Sequence, residues 1–224
     1  MNVLDILVVA PHPDDETLGC GGTLLKFKES GARLHWLIVT GMSEECGYTR
    51  DEITKRKLEI KKVADVYNFT TVNQMNFQPA HLDVLPKKKI IASVAKIIKK
   101  IQPNQIYTVY RNDAHSDHEV VYDAVIASTK SFRNSHIQSV YAYETLSETD
   151  FGLKPEDPGF KANVFVNIEK YLNKKIDIMN IYASEFGDYP FPRSAEAIRA
   201  LAMVRGVQCS SKAAEAFMLV KEIR

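Results

Sequence analysis

The sequence predicts an α/β protein: a Rossmann-like, doubly wound, mostly parallel sheet in three layers, with strand order 3-2-1-4-5 and a short extra strand. Three observations predict it. Apolar runs that read as strands alternate four times with segments of helical periodicity. No repeat, low-complexity tract or Ser/Gly linker interrupts the chain, so residues 1–224 read as a single domain. Hydrophobic residues make up 45% of the 224, enough for one well-buried core.

The first strand is Val3–Ala10, an apolar run interrupted only by Asp5. No basic region precedes it, so it reads as a strand and not as a signal peptide. A helix from Glu16 to Ser30 ends at Gly31. Gly19, Gly21 and Gly22 in its first half point to close packing of helix on sheet, since glycine otherwise weakens a helix. They are not a dinucleotide fingerprint, which needs G-x-G-x-x-G directly at the strand end. Leu34–Thr40 is the second strand, followed by a loop over 41–51 and a helix from Glu52 to Tyr67. Gly41-Met42-Ser43-Glu44-Glu45 lacks the closing glycine of a nucleophile elbow, so Ser43 reads as an ordinary loop serine. Thr71–Phe77 is a weaker third strand. Pro86 opens a helix to Ile101, whose stripe Ile90, Ile91, Val94, Ile97 and Ile98 belongs to the core. Gln105–Tyr110 is the fourth strand; a polar cluster and a helix to Ser131 follow. Val140–Tyr143 is the fifth strand and Val164–Ile168 the short extra one. Helices span Glu169–Tyr182 and Ser194–Arg205, and Ala213–Ile223 is apolar enough to be ordered.

The net charge of +1, spread along the chain, gives no electrostatic reason to expect nucleic acid. The runs Lys87–Lys89 and Lys99-Lys100 read as the solvated face and end of a helix. Cys20, Cys46 and Cys209 are odd in number and far apart, which fits free thiols in a reducing compartment. No apolar stretch is long enough to span a bilayer, and the expectation is a cytoplasmic protein.

Two polar clusters stand out. Pro11-His12-Pro13-Asp14-Asp15-Glu16 follows the first strand, and Arg111-Asn112-Asp113-Ala114-His115-Ser116-Asp117-His118-Glu119 follows the fourth. Capping explains one or two acids at a helix start. It does not explain a histidine between two prolines followed by two aspartates. In a doubly wound sheet the ligand crevice opens where the winding reverses, at the carboxyl ends of two adjacent strands. A reversal after the third strand makes the first and fourth neighbours and brings the clusters together. His12 and Asp15, three apart, fall on one face of a helical turn, with Asp14 free to act as a base. Together with one histidine of the second cluster they make a three-ligand zinc site whose fourth position is open. The other histidine would face a developing oxyanion or protonate a leaving amine, with Asp117 holding its second nitrogen.

His12-Pro13-Asp14-Asp15-Glu16 with Gly19 and Gly22, His115-Ser116-Asp117-His118, Arg56 with Glu59, and the stretch Arg193-Ser194 to Phe217 together resemble the LmbE-like, or PIG-L, de-N-acetylase family over nearly the whole chain. The resemblance implies Zn2+ held by His12, Asp15 and His118, Asp14 as general base, His115 as oxyanion-stabilising or acid histidine oriented by Asp117, and Arg56 in contact with substrate. It implies hydrolysis of an N-acetyl group from an N-acetylglucosamine-type sugar or conjugate, a small-molecule substrate. Four positions depart from the family pattern. Ser116 replaces a proline, Asp113 stands where some members place a tyrosine that assists the oxyanion, and Ser210 and Ala213 replace a glycine and a tyrosine.

Two other functions fit the same residues: a zinc amidase acting on a non-sugar N-acyl substrate, and a non-catalytic metal- or sugar-binding relative. Specificity is expected in loops 41–51, 76–85 and 145–162, the last with the composition of a lid. Tyr182–Pro192, rich in aromatics, fits either a homo-oligomer contact or ordinary packing; packing is the commoner outcome, although homo-oligomers are frequent among relatives.

Overall fold

The computed structural model describes residues 3–224. Thirteen helices and strands follow one another: β1 (Asp5–Ala10), α1 (Asp15–Glu29), β2 (Arg33–Thr40), α2 (Arg50–Tyr67), β3 (Thr71–Phe77), α3 (Lys87–Ile101), β4 (Gln105–Val109), α4 (Ser116–Ser128), β5 (Ser139–Tyr143), β6 (Val164–Asn167), α5 (Leu172–Met179), α6 (Ala195–Val207) and β7 (Ala214–Glu222). A single 3-10 turn, Glu44–Cys46, sits in the loop after β2.

The strands form one sheet of order β3-β2-β1-β4-β5-β7-β6. The first five are parallel, as the alternation of strand and helix requires, and the winding reverses between β1 and β4. The expected order 3-2-1-4-5 is present. The difference lies at the far edge, where β7 enters antiparallel between β5 and the short β6. The apolar segment after 213 is therefore an internal strand. Right-handed crossovers put α1 and α2 on one face and α3 and α4 on the other. In agreement, α1 packs against α2 and α5, and α3 against α4.

β1 is buried along its whole length because it has a strand on each side and a helix layer on each face. Ile90, Val94 and Ile98 of α3 are fully buried, and Ile91 and Ile97 lie partly buried beside them. α1 begins at Asp15, one residue earlier than the sequence suggests, and is broken at Cys20, whose φ/ψ of −142°/20° is not helical. Two of its glycines answer to close approach. A Cβ on Gly19 would lie 2.0 Å from the Tyr143 ring, and one on Gly22 would lie 2.7 Å from Ile168. The break frees backbone groups, and a buried ion pair takes them up. Glu215 of β7 accepts from the Gly22 and Thr23 amides at 2.8 and 2.7 Å, while Lys175 of α5 donates to the Leu18 carbonyl at 2.8 Å and to Glu215 at 2.7 Å. No helix among the described residues is long and apolar enough to cross a membrane.

Candidate metal centre

The turn after β1 and the turn after β4 meet at the carboxyl end of the sheet. In the first, His12 precedes the helix instead of lying on it. Its amide donates to Asp15 Oδ2 at 2.9 Å, and this turn, not a helical face, brings the two side chains together. Asp14 closes the turn with φ of 143°, a conformation few side-chain-bearing residues adopt. Its amide donates to Glu16 Oε2 at 3.1 Å, and Glu16 accepts from the Tyr182 hydroxyl at 2.8 Å. Glu16 is fully buried, and burial pushes its carboxyl up to about 7. Arg56 donates to the Pro13 carbonyl at 3.0 Å and ties the turn to α2.

His12, Asp15 and His118 offer ligand atoms within 4.8 Å of one another. His12 Nδ1 lies 3.5 Å from Asp15 Oδ2, and His118 Nε2 lies 3.5 Å from Asp15 Oδ1. Each imidazole has a carboxylate on its far side. Asp117 Oδ2 accepts from His12 Nε2 at 3.0 Å, and Asp113 Oδ2 accepts from His118 Nδ1 at 2.6 Å. A proton fixed on the far nitrogen leaves the near nitrogen a bare lone pair aimed at the cluster, the arrangement metal-bound histidines use. His118 Nε2 is buried and has no hydrogen-bond partner, an atom that needs a Lewis acid or a proton. Two imidazoles and one carboxylate suit a divalent cation such as zinc.

The electrostatics agree. Burial disfavours a charged His12, yet its hydrogen bonds to Asp117 and Asp15 win and raise it to about 9. Burial opposes a charged His118 as well, and Asp15 and Asp113 lift it to about 10. Asp15 is held below the usual carboxylate range, its burial outweighed by His118 and His12. Burial, and then Asp15, push Asp14 well above that range. The cluster draws positive charge into the space between its members.

The expected partnership of Asp117 with His115 is replaced. The Asp117 carboxylate stands 4.0 Å from His115 Nδ1 and accepts instead from His12 and from the amides of Ala80 and Leu82 at 2.8 and 3.1 Å. His115 caps α4: its Nδ1 accepts from the Asp117 amide at 3.1 Å, which puts the proton of the neutral ring on Nε2. Burial and the nearby His12 push His115 down to about 4. Asp113, read from the sequence as standing in a tyrosine's place, lies buried behind His118 and also accepts from Thr149 at 2.7 Å.

A cavity of about 320 Å³ opens on the cluster. His12, Asp14, Asp15, Arg56 and His115 line it; Asp117 and His118 lie beneath the lining. Three further charged residues complete its wall: Arg193, which opens the closing block of the family resemblance, and Glu148 and Glu185, which were not singled out from the sequence. Arg193 donates to Asp14 Oδ2 at 3.0 Å and lies 3.3 Å from Glu185. Tyr182–Pro192, read as contact or packing, thus contributes Glu185 to the cavity. Of the segment 145–162, Thr145 and Glu148 reach the cavity, while Asp157 accepts from Tyr110 and Gly152 lies against Asn112. No pattern marked Glu148 or Glu185, because they come from irregular segments whose path depends on the whole fold. The one available signal was charge inside the aromatic stretch before Arg193.

Comparison with known proteins points the same way. A family model described as PIG-L, GlcNAc-PI de-N-acetylase, matches residues 7–129. A probable N-acetyl-alpha-D-glucosaminyl L-malate deacetylase 2 of Bacillus anthracis is 21% identical over 193 residues, 83% of each chain. N,N'-diacetylchitobiose deacetylase from Pyrococcus horikoshii superposes with a TM-score of 0.77 at 19% identity, covering 98% of this chain and 84% of that one. The 4-carboxy-2-hydroxymuconate hydratase of Pseudomonas putida KT2440 superposes with a TM-score of 0.74 at 18% identity, covering 99% and 98%, so the fold by itself also carries other chemistry.

Proposed function

This chain belongs to the PIG-L family, and from that premise we propose that it is a zinc-dependent hydrolase that removes the N-acetyl group of an N-acetylglucosamine-type sugar or conjugate. The observation that carries the reading is the buried, partnerless Nε2 of His118 facing Asp15 beside His12 Nδ1. His12, Asp15 and His118 would hold the cation. When bound there, zinc polarises a carbonyl oxygen and makes water a competent nucleophile near neutral pH.

The chain's own groups supply the rest. Water adds to the acetyl carbon, and Asp14 at the cavity wall takes its proton. The adjacent Asp15 stays with the histidines, so the two neighbouring carboxylates have different duties. His115 presents Nε2–H to the cavity, a donor for the oxygen that gains charge as the carbonyl becomes tetrahedral. The C–N bond then breaks, the proton passes to the amine, and acetate leaves. Arg193, hydrogen-bonded to Asp14, fixes the direction of that carboxylate.

Asp14→Asn tests the assignment of the base. Zinc content should stay at the wild-type level while kcat for acetate release from N-acetylglucosamine conjugates falls by about 10²–10⁴. Normal turnover in this variant would remove Asp14 from the mechanism. A panel that includes N-acylated amino acids separates a sugar deacetylase from a zinc amidase of other specificity.

A further inference from the structure

The Pro13–Asp14 peptide lies between His12 and the proposed base, and it is gripped at both of its polar ends. Its carbonyl accepts from Arg56 Nη1 at 3.0 Å, and its amide donates to Glu16 Oε2 at 3.1 Å. The grip holds an unfavourable conformation: Asp14 has φ of 143°, where a side chain crowds its own backbone. Asp14 also stands at the N-cap of α1, yet its carboxylate makes no capping hydrogen bond. An aspartate at that position ordinarily turns its carboxylate back onto the second or third amide of the helix. Here the third, that of Thr17, bonds the Asp14 carbonyl at 2.9 Å, and the side chain of Asp14 lines the cavity. Glu16 is fixed in turn. Its other oxygen accepts from the Thr17 hydroxyl at 2.6 Å and the Tyr182 hydroxyl at 2.8 Å, and Tyr67 donates to the Thr17 hydroxyl at 3.1 Å. Glu16, Thr17, Tyr67 and Tyr182 are all fully buried, so solvent does not compete for these bonds. No step of the hydrolysis uses them.

Resting on the reading of Asp14 as the base, we propose that Glu16 is a positioning residue. By holding the Asp14 amide it keeps the turn in its strained form, with the carboxylate aimed at the cavity and not at the start of α1. Without that acceptor the peptide rotates, φ of Asp14 returns to negative values, and the carboxylate becomes an ordinary cap. His12 and Asp15 are joined by a bond of their own, from the His12 amide to Asp15 Oδ2 at 2.9 Å, which does not pass through the Glu16 side chain. Loss of Glu16 therefore misaims the base and leaves the metal-facing pair together.

The test compares Glu16→Ala and Glu16→Gln, each alone and combined with Asp14→Asn. Glu16→Ala should lower kcat for acetate release by about 10–100-fold, with KM and zinc affinity within about twofold of wild type. Glu16→Gln keeps an oxygen that can accept from the same amide, and should restore kcat to within about threefold of wild type. In the Asp14→Asn background Glu16→Ala should lower kcat no further, because it acts through the group already lost. A crystal structure of Glu16→Ala reads the turn without turnover: φ of Asp14 should be negative, with its carboxylate on the first amides of α1. If Glu16→Ala does not fold, Glu16→Met fills the vacated space without an acceptor and carries the same readouts. A φ that stays near 143° overturns the proposal. So does an unchanged kcat in a folded variant, a matching loss of zinc affinity, or a full further loss in the Asp14→Asn background. A wild type that releases no acetate, or normal turnover in Asp14→Asn, sinks the deacetylase reading instead, and the crystal structure then decides by itself whether Glu16 holds the turn.

Discussion

The two nitrogens of His118 have separate partners. Asp113 takes one at 2.6 Å, and the other is left bare beside Asp15. The orientation of the ring is therefore set from behind. Outer-shell carboxylates of this kind are worth about 10–100-fold in metal affinity. Asp113→Ala should weaken zinc binding by that factor in a chelator competition while the circular dichroism spectrum is retained; unchanged affinity would leave Asp113 as ordinary packing. At the opposite end of β1, Asp5 meets Arg33 and accepts from His35 Nε2 at 3.0 Å. Burial works against its charge, and the hydrogen bonds to Arg33 and His35 outweigh it, so its pKa lies below the ordinary value. The sign follows: the charged form is favoured by folding, its contribution is present above the unfolded pKa of about 3.9, and it is lost as pH falls through the lower folded value. Asp5→Asn should lower Tm near neutral pH, and the gap to wild type should close as pH drops below about 4. A gap equally wide in acid would contradict this.

Among the elements, α1 depends most on its neighbours. Its break at Cys20 leaves Leu18, Gly22 and Thr23 with backbone groups that water does not reach, and the Glu215–Lys175 pair takes them up from β7 and α5. The first half of α1 carries Asp15, so this capping also fixes where the metal-facing turn ends. Both side chains of the pair are almost fully buried. Removing one member of such a pair costs about 3–5 kcal/mol, since the other charge is left without compensation. Glu215→Ala should lose that much stability in urea unfolding, and a loss below about 1 kcal/mol would mean that the freed groups find other partners. The break was not legible in the sequence. Gly19, Gly21 and Gly22 signalled close packing, and two of them do meet Tyr143 and Ile168. The groups beyond the Cys20 kink are met by Glu215 of β7, 193 residues after Gly22 in the chain.

For the whole molecule, the parallel half of the sheet was legible because each strand carries its own apolar run and each helix its own period. A reversal between β1 and β4 was the condition under which His12 and Asp15 meet one histidine of the second cluster, and the family resemblance, not the winding, named His118 as that histidine. β7 was not legible. Its sequence, AEAFMLVKE, has Glu215 where an internal strand is expected to be apolar, and that residue faces the α1 break. The cavity wall was legible only where motifs mark it. Arg193 is marked by the closing block, but Glu148 and Glu185 arrive from segments without periodicity, and the Arg193–Glu185 pair emerges only when the chain is closed. The same closure gives the Asp117 carboxylate to His12 and leaves His115 only the Asp117 amide as a hydrogen-bond partner.

Zinc competition against a chromophoric chelator, run on the wild type and on His118→Ala, probes most directly the idea that two turns from opposite halves of the parallel sheet share a single cation. The wild type should take up one equivalent per chain, and the variant should bind at least about a hundredfold more weakly. A wild type that takes up no zinc, or a folded variant with wild-type affinity, would show that no such centre exists.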